Sequence, residues 1–352
     1  MMRLKKDYFI YIVLVILITL TGFNVYGVWW NNTPPNVAKP QTEKPKIKIG
    51  ISLGTLKEER WVHDRDILEA KAKEAGAEVY VQNANNDDTD QLDQVKYLID
   101  KGIKVLILVP NDMEKAAEIV QMAHKAGVKV ISYDRLVLNA GVDLYLSFDN
   151  REIGRLMAKA ILAAQPTGNY VILNGAANDN NSLQIKDGYD SVFSQSEKEG
   201  KIKILTEYFT PDWLAESAYK KIDNLLQANK NIQAVLAGDD SLAGAAIEAL
   251  SEYRLAGKVE VVGQDADLAA CRRLVQGTQL MTVYKPIDKL AALAIRMALK
   301  MANNQSLGVY DKVSDGKYLV PYQYITPIAV NRSNLDDTVL KDGYQNREDV
   351  YR

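Results

Sequence analysis

From Lys46 onward, short apolar runs alternate with longer segments of helical spacing. The runs are IKIGIS (47–52), AEVYVQ (77–82), VLILVP (105–110), VKVISY (128–133), LYLSF (144–148), YVILNG (170–175), IKILTEY (202–208), AVLAG (234–238), VEVVG (259–263) and MTVY (281–284). Most are near-continuous Val, Ile and Leu, as expected of parallel strands buried on both faces. Amphipathic stretches such as Ile67 to Ala75 and Gln91 to Lys101 lie between them. Strand alternating with helix predicts a doubly wound α/β sheet.

A local repeat supports this pattern. Gly76, Gly102 and Gly127 each stand between a helical stretch and a strand, about 25 residues apart, the length of one βα unit. After Phe148-Asp149-Asn150 a new helical stretch begins and the alternation restarts with YVILNG. Two similar α/β lobes joined in the middle is the simplest arrangement. Asn331 to Arg352 is polar and predicted to lie as a surface tail over one lobe.

The N-terminus differs from all of this. Arg3, Lys5 and Lys6 precede a stretch without charge from Tyr8 to Trp30. A bilayer-spanning helix needs about 20 residues, and basic residues ahead of it leave the N-terminus inside and the remainder outside. A cleaved signal peptide is the alternative, because the most apolar core, Tyr8 to Leu20, has signal-peptide length. Val25-Tyr26-Gly27 makes a poor cleavage site, and no Cys follows for lipidation. Asn31 to Lys46, with Pro34, Pro35, Pro40 and Pro45, is expected to be an extended spacer.

Composition then narrows the chemistry. With 352 residues and a net charge of −2, the chain lacks the basic excess of a nucleic-acid binder. One Cys, Cys271, and two His, His63 and His124, leave little material for a disulfide framework or a metal site. No nucleophile elbow, phosphate loop, dinucleotide fingerprint or zinc-protease motif is present. The sequence thus predicts no catalytic residues, no metal and no cofactor.

Ligands of open α/β sheets bind at the carboxyl ends of the strands. Asp134 and Arg135 follow VKVISY, and Asn178 to Asn181 follow YVILNGAA. Asp239 and Asp240 end AVLAG, Asp265 ends VEVVGQ, and Lys285 follows MTVY. Carboxylates, amides and a guanidinium suit the hydroxyls of a sugar. Taken singly, each has a blander role: Asp149, Asp240 and Asp267 read as helix caps, and Trp61 and Trp213 as core. The coincidence of polar residues at five strand ends in both lobes favours a binding cleft. A glycosidase using Asp239 with Asp265 or Asp134 is the enzymatic alternative.

Several stretches carry a resemblance: EERWVHDRDI (58–67), YDR (133–135), SFDN (147–150), GQDADLA (263–269), GTQLMTVYKPI (277–287) and TPIAVN (326–331). From Lys46 to Gly343 the chain resembles the D-xylose branch of the ribose/galactose group of periplasmic sugar-binding proteins. The resemblance implies the type I fold of these proteins: two doubly wound α/β lobes joined by three hinge strands, near Phe148, Tyr284 and Tyr322. Ahead of it, 1–30 read as anchor or signal peptide and 31–46 as linker from hydropathy and proline content. One lobe is then 47–149 with 286–320, and the other 150–285 with 321–352.

By matching position, Arg60, Trp61, Asp134, Arg135, Asn181, Trp213, Asp239, Asp265 and Lys285 are implied to hold the sugar, with Trp213 stacking on the pyranose face. Two positions depart from the family: Asp239 replaces an Asn that both donates and accepts, and Lys186 replaces an arginine. The apparent tether resembles membrane-anchored xylose-binding proteins of some clostridia. That likeness implies a single-pass protein with its sugar-binding part outside the cell, sensing D-xylose for a LytS-type histidine kinase of a two-component system. The alternative partner is the permease of an ABC importer for xylose.

Overall fold

The computed structural model describes residues 4–31 and 46–352, which fall into two compact units, one ending at Pro45 and one beginning at Lys46. The expected linker, 31–46, lies outside the described residues except at its two ends. The first unit contains helix α1 (Leu4–Asn31), whose described side chains from Tyr8 to Leu20 are mostly exposed apolar groups. Among the described residues, no helix is long and apolar enough to cross a membrane.

The second unit carries the alternation read from the sequence. Its strands are β1 (Lys48–Leu53), β2 (Glu78–Asn83), β3 (Val105–Val109), β4 (Lys129–Tyr133), β5 (Leu144–Phe148), β6 (Gly168–Asn174), β7 (Ile202–Phe209), β8 (Ala234–Ala237), β9 (Glu260–Gln264), β10 (Met281–Tyr284), β11 (Lys312–Ser314), β12 (Leu319–Ile325) and β13 (Ile328–Val330). Its helices are α2 (Glu59–Glu74), α3 (Asp88–Asp100), α4 (Ala117–Lys125), α5 (Asn150–Ala164), α6 (Asn180–Lys198), α7 (Ala215–Gln227), α8 (Asp240–Glu252), α9 (Leu268–Gln276) and α10 (Ile287–Ala302), followed by short C-terminal turns.

The strands make two sheets, ordered β11-β12-β5-β4-β3-β1-β2 and β13-β10-β9-β8-β6-β7. Pairing is parallel except for β11 with β12 and β10 with β13. The interior strands β3 and β5 are buried along their whole length, so their apolar runs have no polar face to show. Gly76, Gly102 and Gly127 end α2, α3 and α4 with φ between +74° and +78°, the left-handed geometry that a side chain resists. Asp149 caps α5 by accepting from the Glu152 N–H at 2.9 Å.

The chain passes between the lobes three times: after β5, between β10 and α10, and between β12 and β13. The expected boundary at 320/321 falls inside β12. That strand pairs in parallel with β5, and Tyr322 stacks on Tyr145 with ring centres 5.0 Å apart, so the first lobe extends to Ile325. The polar C-terminal segment is more than a surface tail. Leu335, Val339 and Val350 are buried with Cys271 and Leu274 of α9, and Tyr344 lies 5.1 Å from the His63 ring on α2 of the other lobe.

Candidate functional site

Every residue implied to hold the ligand stands at the carboxyl end of a parallel strand or at the helix start that follows it. Arg60 and Trp61 open α2 after β1, and Asp134 and Arg135 leave β4. Asn181 opens α6 after β6, and Trp213 follows β7. Asp239, Asp265 and Lys285 end β8, β9 and β10. All nine line one cleft between the lobes, joined by Glu58, Asp179 and Gln264.

The first lobe supplies a buried charge cluster. The Arg60 guanidinium donates to Asp64 Oδ2 from Nη2 and to Asp134 Oδ2 from Nη1, both at 2.8 Å. Tyr133 donates its hydroxyl to the other Asp64 oxygen. Burial alone would raise the Asp134 carboxyl, but Arg60 and Lys285 outweigh it and hold the group below the ordinary carboxylate range. Burial dominates at Asp64, which is raised despite Arg60. The Arg60 and Arg135 guanidinium carbons lie 4.0 and 5.1 Å from the Trp61 ring centre, so the indole is set among cations.

The second lobe answers across the cleft. Asn181 Nδ2 donates to Asp134 Oδ1 at 2.8 Å, while its own oxygen accepts from Asn150 at 2.9 Å. Arg135 pairs with Asp179 at 2.7 Å, and Lys285 with Asp265 at 2.7 Å. Met113 N–H donates to the Asn178 carbonyl, and Lys57 reaches the Trp213 carbonyl. The contacts of Asn181 with Asp134, Arg135 with Asp179, Met113 with Asn178 and Lys57 with Trp213 join the lobes, so the cleft is closed. Trp213 lies flat against the backbone of Gly175, where an added Cβ would sit 2.1 Å from the indole.

Three of the nine residues hold a left-handed backbone: Asp134 at φ 64°, Trp213 at 54° and Asp265 at 104°. Each such conformation costs on the order of 1–3 kcal/mol and concentrates where a ligand must be met. Each is held locally. Ser147 and Tyr145 donate to the Asp134 carbonyl, Lys57 donates to the Trp213 carbonyl, and the Asp265 N–H donates to Val283 at 2.8 Å.

Some expectations shift. Asp239, not Asp240, caps α8, accepting from the Leu242 N–H at 2.7 Å. Asp240 points inward to Thr282 and Gln279, and burial raises its pKa to about 7 against the pull of Arg273. Asp267 makes no side-chain cap bond. Lys186 lies outside the cleft, paired with Glu207 and Asp190. Asp179 belonged to the polar run after β6 and Gln264 to the end of β9, so strand-end position pointed to both. Glu58 opens the EERWVHDRDI stretch but was given no role, because it looks like an ordinary residue before a helix.

Comparison with known proteins matches this geometry to a family. Residues 49–306 fit the family model described as a periplasmic binding protein domain. The chain is 44% identical over 306 residues to the D-xylose-binding periplasmic protein of Haemophilus influenzae, covering 87% of this chain and 92% of that one. Its counterpart in Escherichia coli is 41% identical over 306 residues, covering 87% and 93%. The crystal structure of a carbohydrate transporter solute binding protein from Chloroflexus aurantiacus, in complex with D-glucose, superimposes with a TM-score of 0.81 at 30% identity, covering 87% of this chain and 98% of that one. Such proteins are non-enzymatic solute receptors, which removes the glycosidase alternative. Two α/β lobes closing on a polar cleft, with this likeness along most of its length, place the chain in the periplasmic sugar-binding protein family, alongside the D-xylose-binding proteins.

Proposed function

We propose that the chain is a D-xylose receptor held at the outer face of the cell membrane by residues 8–30, and that closure of its lobes signals through the extracellular domain of a LytS-type sensor histidine kinase. The observation that carries the sugar reading is the closed cleft itself, with two indoles, two guanidiniums, a lysine and several carboxyls at strand ends from both lobes. Flat apolar faces with planar hydrogen-bonding groups match a pyranose ring and its hydroxyls. The tether rests on the stretch without charge behind Arg3, Lys5 and Lys6, and on the absence of a Cys after it. A ligand moves such an equilibrium only through its preference for the closed form. The bridges from Arg135 to Asp179 and from Asn181 to Asp134 form only when the lobes meet.

A second reading, the substrate-binding subunit of an ABC importer for D-xylose, is favoured by relatives described as transporter solute binding proteins. It uses the same cleft and differs in the partner and in the fate of residues 1–30. Cross-linked pull-down of the full-length protein from native membranes, with and without D-xylose, separates the two. A sensor kinase recovered with residues 1–30 intact supports signalling. Permease subunits recovered with a chain lacking the N-terminal stretch refute it in favour of import.

A further inference from the structure

Asp239 is 3% exposed, and one of its oxygens is taken by the Leu242 N–H. The cations of the cleft are engaged elsewhere: Arg60 with Asp64 and Asp134, Arg135 with Asp179, and Lys285 with Asp265. Among the described residues, no ion pair reaches Asp239. What faces it is acidic: Asp265 from the end of β9, Glu58 from the opposite lobe, and Asp240 beside it on α8. Glu58 is unpaired as well, and its buried Oε2 has no hydrogen-bond partner.

Building on the sugar-binding reading, we propose that Asp239 enters the closed cleft as the neutral carboxylic acid and donates a hydrogen bond to a ligand hydroxyl. An ionised carboxylate here would have no counter-ion and could only accept. The protonated group both donates and accepts, as an amide does. Burial first, then Asp265, Glu58 and Asp240, push its pKa well above the ordinary value, with only the Leu242 N–H opposing.

Closure then takes up a proton. An open, hydrated cleft favours the ionised carboxyl, and burial without a counter-ion in the closed one favours the neutral form. Affinity is therefore fully present below the open-form pKa and declines as pH rises toward the closed-form value, by up to about tenfold per unit.

Calorimetric titration of the full chain with D-xylose from pH 5 to 8, in buffers of differing ionisation heat, tests this. The wild type should weaken as pH rises and take up as much as one proton per sugar. Asp239→Asn keeps a capping side chain and a donor, so it should lose the slope and bind more tightly than wild type at pH 8. A flat wild-type profile overturns the proposal, as does a slope retained in Asp239→Asn. So does a slope lost in Glu58→Gln alone, which assigns the proton to Glu58. Failure to bind D-xylose at any pH overturns the sugar reading and this proposal together, whereas binding that ignores pH overturns only the latter.

Discussion

Replacing Gly175 by Ala adds one methyl group and no charge, yet the structure makes it a severe test of the cleft. The new Cβ would lie 2.1 Å from both Cη2 and Cζ2 of Trp213. Carbon atoms rest about 3.5–4.0 Å apart, so the indole must retreat by about 1.5 Å. The Trp213 backbone cannot follow freely, since its φ is already positive and its carbonyl accepts from Lys57 of the facing lobe at 3.2 Å. The ring is left to move into the space a ligand would occupy. Overpacking of this kind costs about 1–3 kcal/mol, equivalent to roughly a 5- to 150-fold loss of affinity. Without ligand the indole has somewhere to go, so the unliganded protein should lose less stability than the complex loses affinity. Isothermal titration with D-xylose, paired with denaturant unfolding of the unliganded protein, measures both quantities. Unchanged affinity would mean that Trp213 does not face the sugar. A loss confined to unfolding stability would make the residue a core tryptophan.

Further outcomes follow from the same geometry. Arg60→Met strips the counter-ion from buried Asp64 and Asp134 and should destabilise the protein by about 3–5 kcal/mol, read as a lower urea midpoint at constant m-value. Lys186→Arg, outside the cleft, should shift D-xylose affinity by less than about twofold, since exposed ion pairs are worth under 1 kcal/mol; a larger gain in titration would place the side chain in the site. Asp240, raised to about 7 in the folded chain, favours the neutral form, so its contribution is fully present below an unfolded value near 4 and is lost as pH climbs through 7. The unfolding free energy from urea titration should fall over that window by a few kcal/mol at most, at about 1.4 kcal/mol per unit, and the fall should shrink in Asp240→Asn.

The sequence disclosed most where burial imposes a simple pattern. β1 to β10 are apolar runs because most have helices on both faces, and such runs need no partner to be recognised. β12 gave no such run, and only resemblance placed a hinge strand near Tyr322, for the opposite reason. It contains Pro321, buries only Val320 among its seven positions, and lies near the sheet edge, where only pairing with β5 defines it. The cleft divides in the same way. Asp134, Asp265 and Lys285 could be found because strand ends converge by topology, whereas Arg60 and Trp61 were found only by resemblance. Glu58 and the inward turn of Asp240 depend on side-chain direction, and periodicity carries no such information. The contact of Tyr344 with His63 joins residues far apart in sequence, beyond any local signal.

The three crossings also dictate an order of events as the chain is made and exported. Each sheet waits for its last members, β12 for the first and β13 for the second, and both lie within the final third of the sequence. A chain delivered N-terminus first cannot complete either lobe in turn, as two beads on a string would. Both reach their full strand complement almost together, when little more than the C-terminal segment is still to emerge. A stalled or truncated product therefore presents two unfinished sheets instead of one finished lobe, and sugar capture becomes a mark of a fully delivered chain.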